Sequence, residues 1–245
     1  MNDAIKDILL DIVQHTHNLG VIDLIKVVGT DKETTIGAVG NERSLVMDAV
    51  FHNPIPEFIG TFGMPNLNKL NIILGIPEYR EEAVMKISTQ NSEPSGIDFT
   101  NKSGDFKNNY RFMDAKTVNS KVPTVSLRAA IQWDVELEPT VASIQRLKFQ
   151  SQAHSDELTF TTKTNGDRLE VSFGTASTHA GNFVFAQGIT GKLASERNWP
   201  VAIFISILNL PGDKRLRFSD RQGLAEITVD SGIATYNYKI PAITK

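Results

Sequence analysis

Along the first twenty residues, Ile5, Ile8, Leu9, Ile12 and Thr16 fall near one face at helical spacing, with Asn2 and Asp3 as capping residues and Gly20 as a stop. An amphipathic opening helix is expected. The period then shortens: Val21–Val28 and Thr34–Val39 are β-branched runs on either side of the polar turn Gly29–Glu33, which reads as strand, turn and strand. Helical spacing returns in Met64–Ile76, where Leu67, Leu70 and Leu74 line one side and Gly75, Ile76 and Pro77 end the element. Strands follow around Val84–Thr89, Gly96–Asn101 and Asn109–Met113.

The same order then recurs. Pro139–Ala153 reads as a helix with Val141, Ile144 and Leu147 on one side. Beyond it, Leu158–Thr162 and the alternating Leu169, Val171 and Phe173 flank Asn165-Gly166, the strongest kind of short hairpin signal. Ser206–Leu210 makes a short apolar helical turn, stopped by Pro211 and Gly212, before strands at Lys214–Ser219, Leu224–Val229 and Ala234–Ile240. Each half runs helix, strands, helix, strands, with negligible identity between the halves, so the repeat is one of element order. The polar stretch between them, with Asp114, Lys116, Asn119, Ser120, Lys121 and Pro123, reads as a linker. The expected organisation is an N-terminal domain over 1–113, a linker over 114–123 and a C-terminal domain over 124–245. Two short helices with several antiparallel strands make each half an α+β layer, the helices on one face of a curved sheet. Open sheet edges invite pairing with another chain, and head-to-tail contacts close into a ring where the rotation allows.

Composition narrows the chemistry. The 245 residues are 40% hydrophobic and 22% charged, enough for a substantial core, and the formal net charge of -3 argues against coating nucleic acid by bulk charge. A DNA role therefore needs locally segregated cations. Zero cysteines exclude disulfides, thiolate catalysis and sulfur-based zinc sites, and fit a cytoplasmic location. Asp3, Asp7 and Asp11 give the N-terminus the wrong charge pattern for a secretory or transit signal, and no stretch approaches the roughly 20 apolar residues that span a bilayer.

No catalytic constellation stands out. His15 and His17 point about 200 degrees apart on a regular helix, and His52, His154 and His179 have no metal-ligand partner nearby in sequence, so no metal site is expected. Neither phosphate-loop pattern occurs, and no cofactor is implied. The acid pairs Glu81 with Glu82 and Glu136 with Glu138 read as exposed charges rather than as general acid and base. Lys214, Arg215, Arg217 and Arg221 form a basic cluster; strand alternation sends Arg215 and Arg217 to one face and Lys214 to the other, which fits a charged strand edge.

The chain resembles the DNA sliding clamps, and most closely the trimeric DNA polymerase processivity factor of T-even-like phages. The resemblance is carried by Phe58–Ile76 (FIGTFGMPNLNKLNIILGI), by Tyr110–Met113 with Asp114–Val118 after it, by the helix and hairpin of Thr140–Phe173, and by Asn209–Asp213. It implies two clamp-like domains per subunit, a homotrimeric ring around double-stranded DNA, helices on the inner wall and sheets outside. The implied inner helices are Asp3–Gln14, Met64–Ile76, Pro139–His154 and Ser206–Leu210. Their cations Lys6, Lys69, Arg146 and Lys148 are the implied phosphate contacts, independent of base sequence. The first helix departs from the pattern, since Asp3, Asp7 and Asp11 lie roughly opposite its apolar face, where a clamp shows Lys or Arg.

The resemblance also implies partners: a replicative DNA polymerase and an ATP-driven clamp loader, whose tails dock beside the linker on the outer face. Val118, Val122 and Pro123 in the linker, with Ile240, Pro241 and Ile243 near the C-terminus, are the residues expected to receive them. The implied protein is no enzyme; it works as a topological tether. The rival reading is a β-rich phage tail or baseplate protein that also forms rings.

Overall fold

The computed structural model describes residues 2–80, 82–91, 93–122, 130–175, 177 and 179–243. The chain divides into two compact units, Met1–Val125 with Ser231–Tyr236, and Ser126–Asp230 with Asn237–Lys245.

In the first unit, α1 (Asn2–His15) buries Ile5, Leu9 and Ile12 of the expected stripe, with Thr16 just beyond it; Ile8 is half-buried, and Val13, outside the expected set, is buried as well. The hairpin β1 (Leu24–Gly29) and β2 (Thr34–Val39) follows, in register from Lys26 opposite Gly37 to Gly29 opposite Thr34. Both strands alternate strictly between buried and half-buried positions, so one sheet face meets the core. β3 (Val46–Phe51) and β4 (Gly60–Pro65) complete a layer in the order β4-β1-β2-β3. α2 (Leu67–Leu74) starts at Asn66, whose side chain accepts the Lys69 N–H at 3.2 Å, and buries Leu67, Leu70, Ile73 and Leu74. β5 (Val84–Gln90), β6 (Glu93–Thr100) and β7 (Lys107–Arg111) form a second antiparallel sheet, and α1 and α2 pack on each other and on its β5 and β7 edges.

The expected linker 114–123 is no free connector over its described residues. Ala115–Lys121 form α3, capped by Asp114, whose carboxylate accepts the Thr117 N–H at 2.9 Å. Val118 and Val122, one helical turn apart, are buried, and α3 packs on β4. Gly63 makes this approach possible: a Cβ there would lie 2.8 Å from Val118 Cγ2. The polar residues that read as a linker are the exposed face and cap of this helix. Compactness accordingly carries the first unit past the expected boundary at 113, to Val125, and adds Ser231–Tyr236 to it.

The second unit opens with β8 (Val135–Leu137) and α4 (Val141–Ala153), whose Thr140 cap accepts the Ser143 N–H at 3.1 Å. β9 (Thr159–Asn165) and β10 (Arg168–Gly174) are the predicted hairpin, with Leu169, Val171 and Phe173 buried. β11 (Ala180–Gln187) and β12 (Arg197–Pro200) extend it to the order β11-β10-β9-β12. α5 (Val201–Leu208) packs with α4, beginning five residues before the turn expected at Ser206. β13 (Asp213–Ser219) pairs with β8 and with β14 (Leu224–Asp230). β15 (Ala234–Pro241) starts within the first unit and ends in the second. Trp199, Phe204 and Phe218 are fully buried here, with ring centroids 5.4–6.5 Å apart.

Candidate nucleic-acid and partner interfaces

In the first unit, the exposed side of α2 carries Asn68, Lys69 and Ile72, because the buried leucines set the opposite face. Lys69 is exposed, with no side-chain hydrogen bond or ion pair among the described residues. Lys6, the other cation predicted for this side, is committed elsewhere. Its ammonium donates to the carbonyl oxygens of Tyr79 at 3.0 Å and Arg80 at 2.7 Å, closing the short turn after α2 onto α1. Lys6 is therefore a structural clasp between chain segments, a tie that its helical spacing does not show.

The acidic face expected on α1 is also revised. Asp7 is exposed, but Asp11 is only 8% exposed. Its carboxylate accepts the Tyr236 hydroxyl at 2.7 Å and the Ser231 hydroxyl at 3.1 Å, and lies 3.2 Å from His15 Nδ1. The His15 ring stacks on Tyr236 with centroids 4.5 Å apart. Asp11 thus anchors β15 to the helix from inside, a role that spacing alone hides because its partners lie more than 200 residues away.

In the second unit, α4 exposes Gln145, Arg146 and Phe149, while Ser143 and Leu147 are buried and the Ser143 hydroxyl donates to the Phe185 carbonyl at 2.7 Å. Arg146 makes no side-chain hydrogen bond or ion pair among the described residues. Lys148 is half-buried. Burial lowers the Lys214 ammonium pKa, Asp213 opposes that shift and the Lys148 charge adds to it. α5 bears no charged side chain.

The basic cluster after α5 divides. Arg217 forms a close ion pair with the buried Glu226, and its guanidinium lies 4.6 Å from the Trp133 ring centre. Lys239 is 3.7 Å from the same glutamate, and Arg215 is 3.7 Å from Glu136. These arginines hold the sheet face. Lys214 is outside these pairs, its ammonium donating to the Gly212 carbonyl at 2.8 Å, and Arg221 is exposed.

The predicted partner residues fall into two sets. Val118 and Val122 lie in the first unit, and Val122 borders an open depression of about 430 Å³ over β1, β2 and β3, with Val28, Val39, Val46 and Val50 along it. Val118 faces inward against Gly63 and is core, not pocket lining. Ile240, Pro241 and Ile243 lie in the second unit. Ile240 is fully buried by strand alternation on β15, so it too is core; Pro241 and Ile243 remain exposed, with the Ile243 N–H bonded to the Asn198 carbonyl at 2.8 Å. Pro123 lies outside the described residues. Sequence reasoning missed the valine row of the depression, whose signal is the set of half-buried or exposed positions that alternate with the core on β1 to β3.

Among the described residues no three His, Asp or Glu side chains converge as a metal site, and no helix is long and apolar enough to cross a membrane.

No protein-family model matches this chain, and no curated protein matches it. Solved structures do. A PCNA of A. fulgidus, in a structure with the C-terminal region of FEN-1 bound, aligns with a TM-score of 0.68 at 9% identity, over 100% of this chain and 97% of that one. A PCNA from Thermococcus kodakaraensis gives 0.67 at 11% identity, over 99% and 97%. The proliferating cellular nuclear antigen of Entamoeba histolytica gives 0.66 at 12% identity, over 98% and 95%. The described architecture, in helices, antiparallel sheets and full-length order, is the fold of the PCNA-type sliding clamps.

Proposed function

We propose that this chain is a DNA sliding clamp: three copies close into a ring around duplex DNA and tether a replicative polymerase to it. The observation that carries the reading is the coincidence of a full-length clamp fold with unpaired cations on exposed helix faces in both units, Lys69 on α2 and Arg146 on α4. Such cations hold phosphates without reading bases. Three copies carry three times -3, or -9, so the attraction to DNA is local to those helices while the acidic balance lies elsewhere.

Ring closure is supported by β11, an edge strand of eight residues without a charge, with Phe183 and Val184 half-buried. Unprotected edges of that length pair with another chain. The outer valine-lined depression beside Val122 is the proposed dock for an apolar tail of the polymerase or of an ATP-driven loader; the A. fulgidus relative in fold is seen with a FEN-1 segment bound. Pro241 and Ile243 remain a proposed accessory contact. The finer likeness to the T-even-type phage factor rests on the segments Phe58–Ile76, Tyr110–Val118, Thr140–Phe173 and Asn209–Asp213. The proposed clamp acts in the cytoplasm, makes and breaks no bond, and works by effective concentration, holding the polymerase at the primer end.

The test is mass measurement and imaging of the purified protein, followed by primer extension with its polymerase. A six-unit ring that lengthens products in the presence of loader and ATP supports the reading. A ring that associates with DNA-free particles and leaves synthesis unchanged returns the structural-protein alternative.

A further inference from the structure

The cations on α2 and α4 each have an exposed apolar neighbour at the same spacing. On α2 it is Ile72, three residues after Lys69 and 59% exposed; on α4 it is Phe149, three residues after Arg146 and 64% exposed. Positions i and i+3 are adjacent on a helix surface, with Cβ atoms about 5–6 Å apart. Each helix thus presents a positive group and an apolar group side by side, on the side away from its buried stripe. Neither contributes to the core: Leu67, Leu70, Ile73 and Leu74 fill that role on α2, and Leu147 on α4.

A DNA strand offers the complementary alternation, since each anionic phosphate is followed by a deoxyribose whose carbon face is apolar. We propose that Ile72 and Phe149 contact deoxyribose faces of the encircled duplex beside phosphates held by Lys69 and Arg146. This rests on the clamp reading and adds to it a contact that is not ionic. The chemistry separates the two kinds of contact. Losing a phosphate contact lowers the slope of log affinity against log salt by about 0.9, because fewer counterions are released. Losing an apolar contact lowers affinity by the same factor at every salt concentration, because it releases no ions.

The experiment uses the full-length protein with duplex DNA and compares the parent, Ile72→Gln with Phe149→Gln, and Lys69→Ala with Arg146→Ala, over a series of salt concentrations. Gln keeps the helix and removes the apolar surface, and exposed substitutions of this kind leave folding intact. The expected result is that the glutamine variant binds roughly tenfold more weakly throughout with an unchanged slope, while the alanine variant has a shallower slope. A glutamine variant with parental affinity, an altered slope, or a lost ring overturns the proposal, the last by assigning these residues to assembly. If the alanine variant also behaves as the parent, Lys69 and Arg146 do not hold phosphates and the proposed pairing falls with them, while the clamp reading is decided by retention on circular DNA; if only the glutamine variant does, the phosphate contacts stand and the apolar contact falls.

Discussion

Residues of one type divide by what surrounds them. Asp7 and Asp11 sit one helical turn apart, yet Asp7 faces solvent and Asp11 is an internal acceptor for Tyr236 and Ser231. Asp11→Ala is expected to cost about 1–3 kcal/mol, since it strips an acceptor from buried hydroxyl groups, whereas Asp7→Ala stays within about 0.5 kcal/mol. Denaturant unfolding of the two variants checks the contrast. Neutralising Asp7 leaves DNA affinity equal or higher, and the same test on Asp11 reports folding instead. Lys6 and Lys69 diverge likewise: helical spacing shows both as polar positions, and only the three-dimensional fold brings the Tyr79 and Arg80 carbonyls to Lys6. Sequence reasoning therefore located Lys69 and Arg146 on exposed faces but had no means of seeing that Lys6, Val118 and Ile240 were already occupied by the fold.

At the scale of elements, the legible parts were those with strong local chemistry. The β1–β2 and β9–β10 hairpins follow from alternation and turn residues, and α1, α2 and α4 from periodicity and caps. β11 was not legible, because Gly181 and Asn182 interrupt its apolar run, and α5 was foreshortened because Val201–Leu208 is apolar almost all round and shows no stripe. α3 was masked by its polar face. Its Asp114 cap is pH-sensitive: hydrogen bonds from Thr117 lower the carboxyl pKa below the ordinary 3.8. The cap contribution is thus complete above that value and is lost as pH falls through the lower folded value. Comparing parent and Asp114→Ala across acid pH, the gap in stability should narrow below about 3.8. On α4, Thr140→Ala removes the Ser143 N–H acceptor and is expected to cost about 1 kcal/mol, read from the unfolding midpoint. On β11, Val184→Lys puts a charge on the open edge, the device by which proteins block strand pairing. Sedimentation should show the variant as smaller species with an unchanged far-UV spectrum; an intact ring would remove β11 from the interface.

For the whole molecule, element order rather than identity carries the likeness to clamps, which is why helix, strand, helix, strand repeats were readable while the fold neighbours share only 9–15% of their residues with this chain. A fold held by buried apolar patterns tolerates such divergence, provided volume and periodicity persist. On the proposed function, retention is topological: a closed ring stays on DNA because it has no end to leave by, and weak phosphate contacts suffice. The most direct measurement loads the protein onto nicked circular DNA with loader and ATP, isolates the complex at high salt, and then cuts the circle once. Retention on the circle followed by rapid loss from the linear product is the predicted result. Equal retention before and after cutting, or equal loss from both, would contradict it.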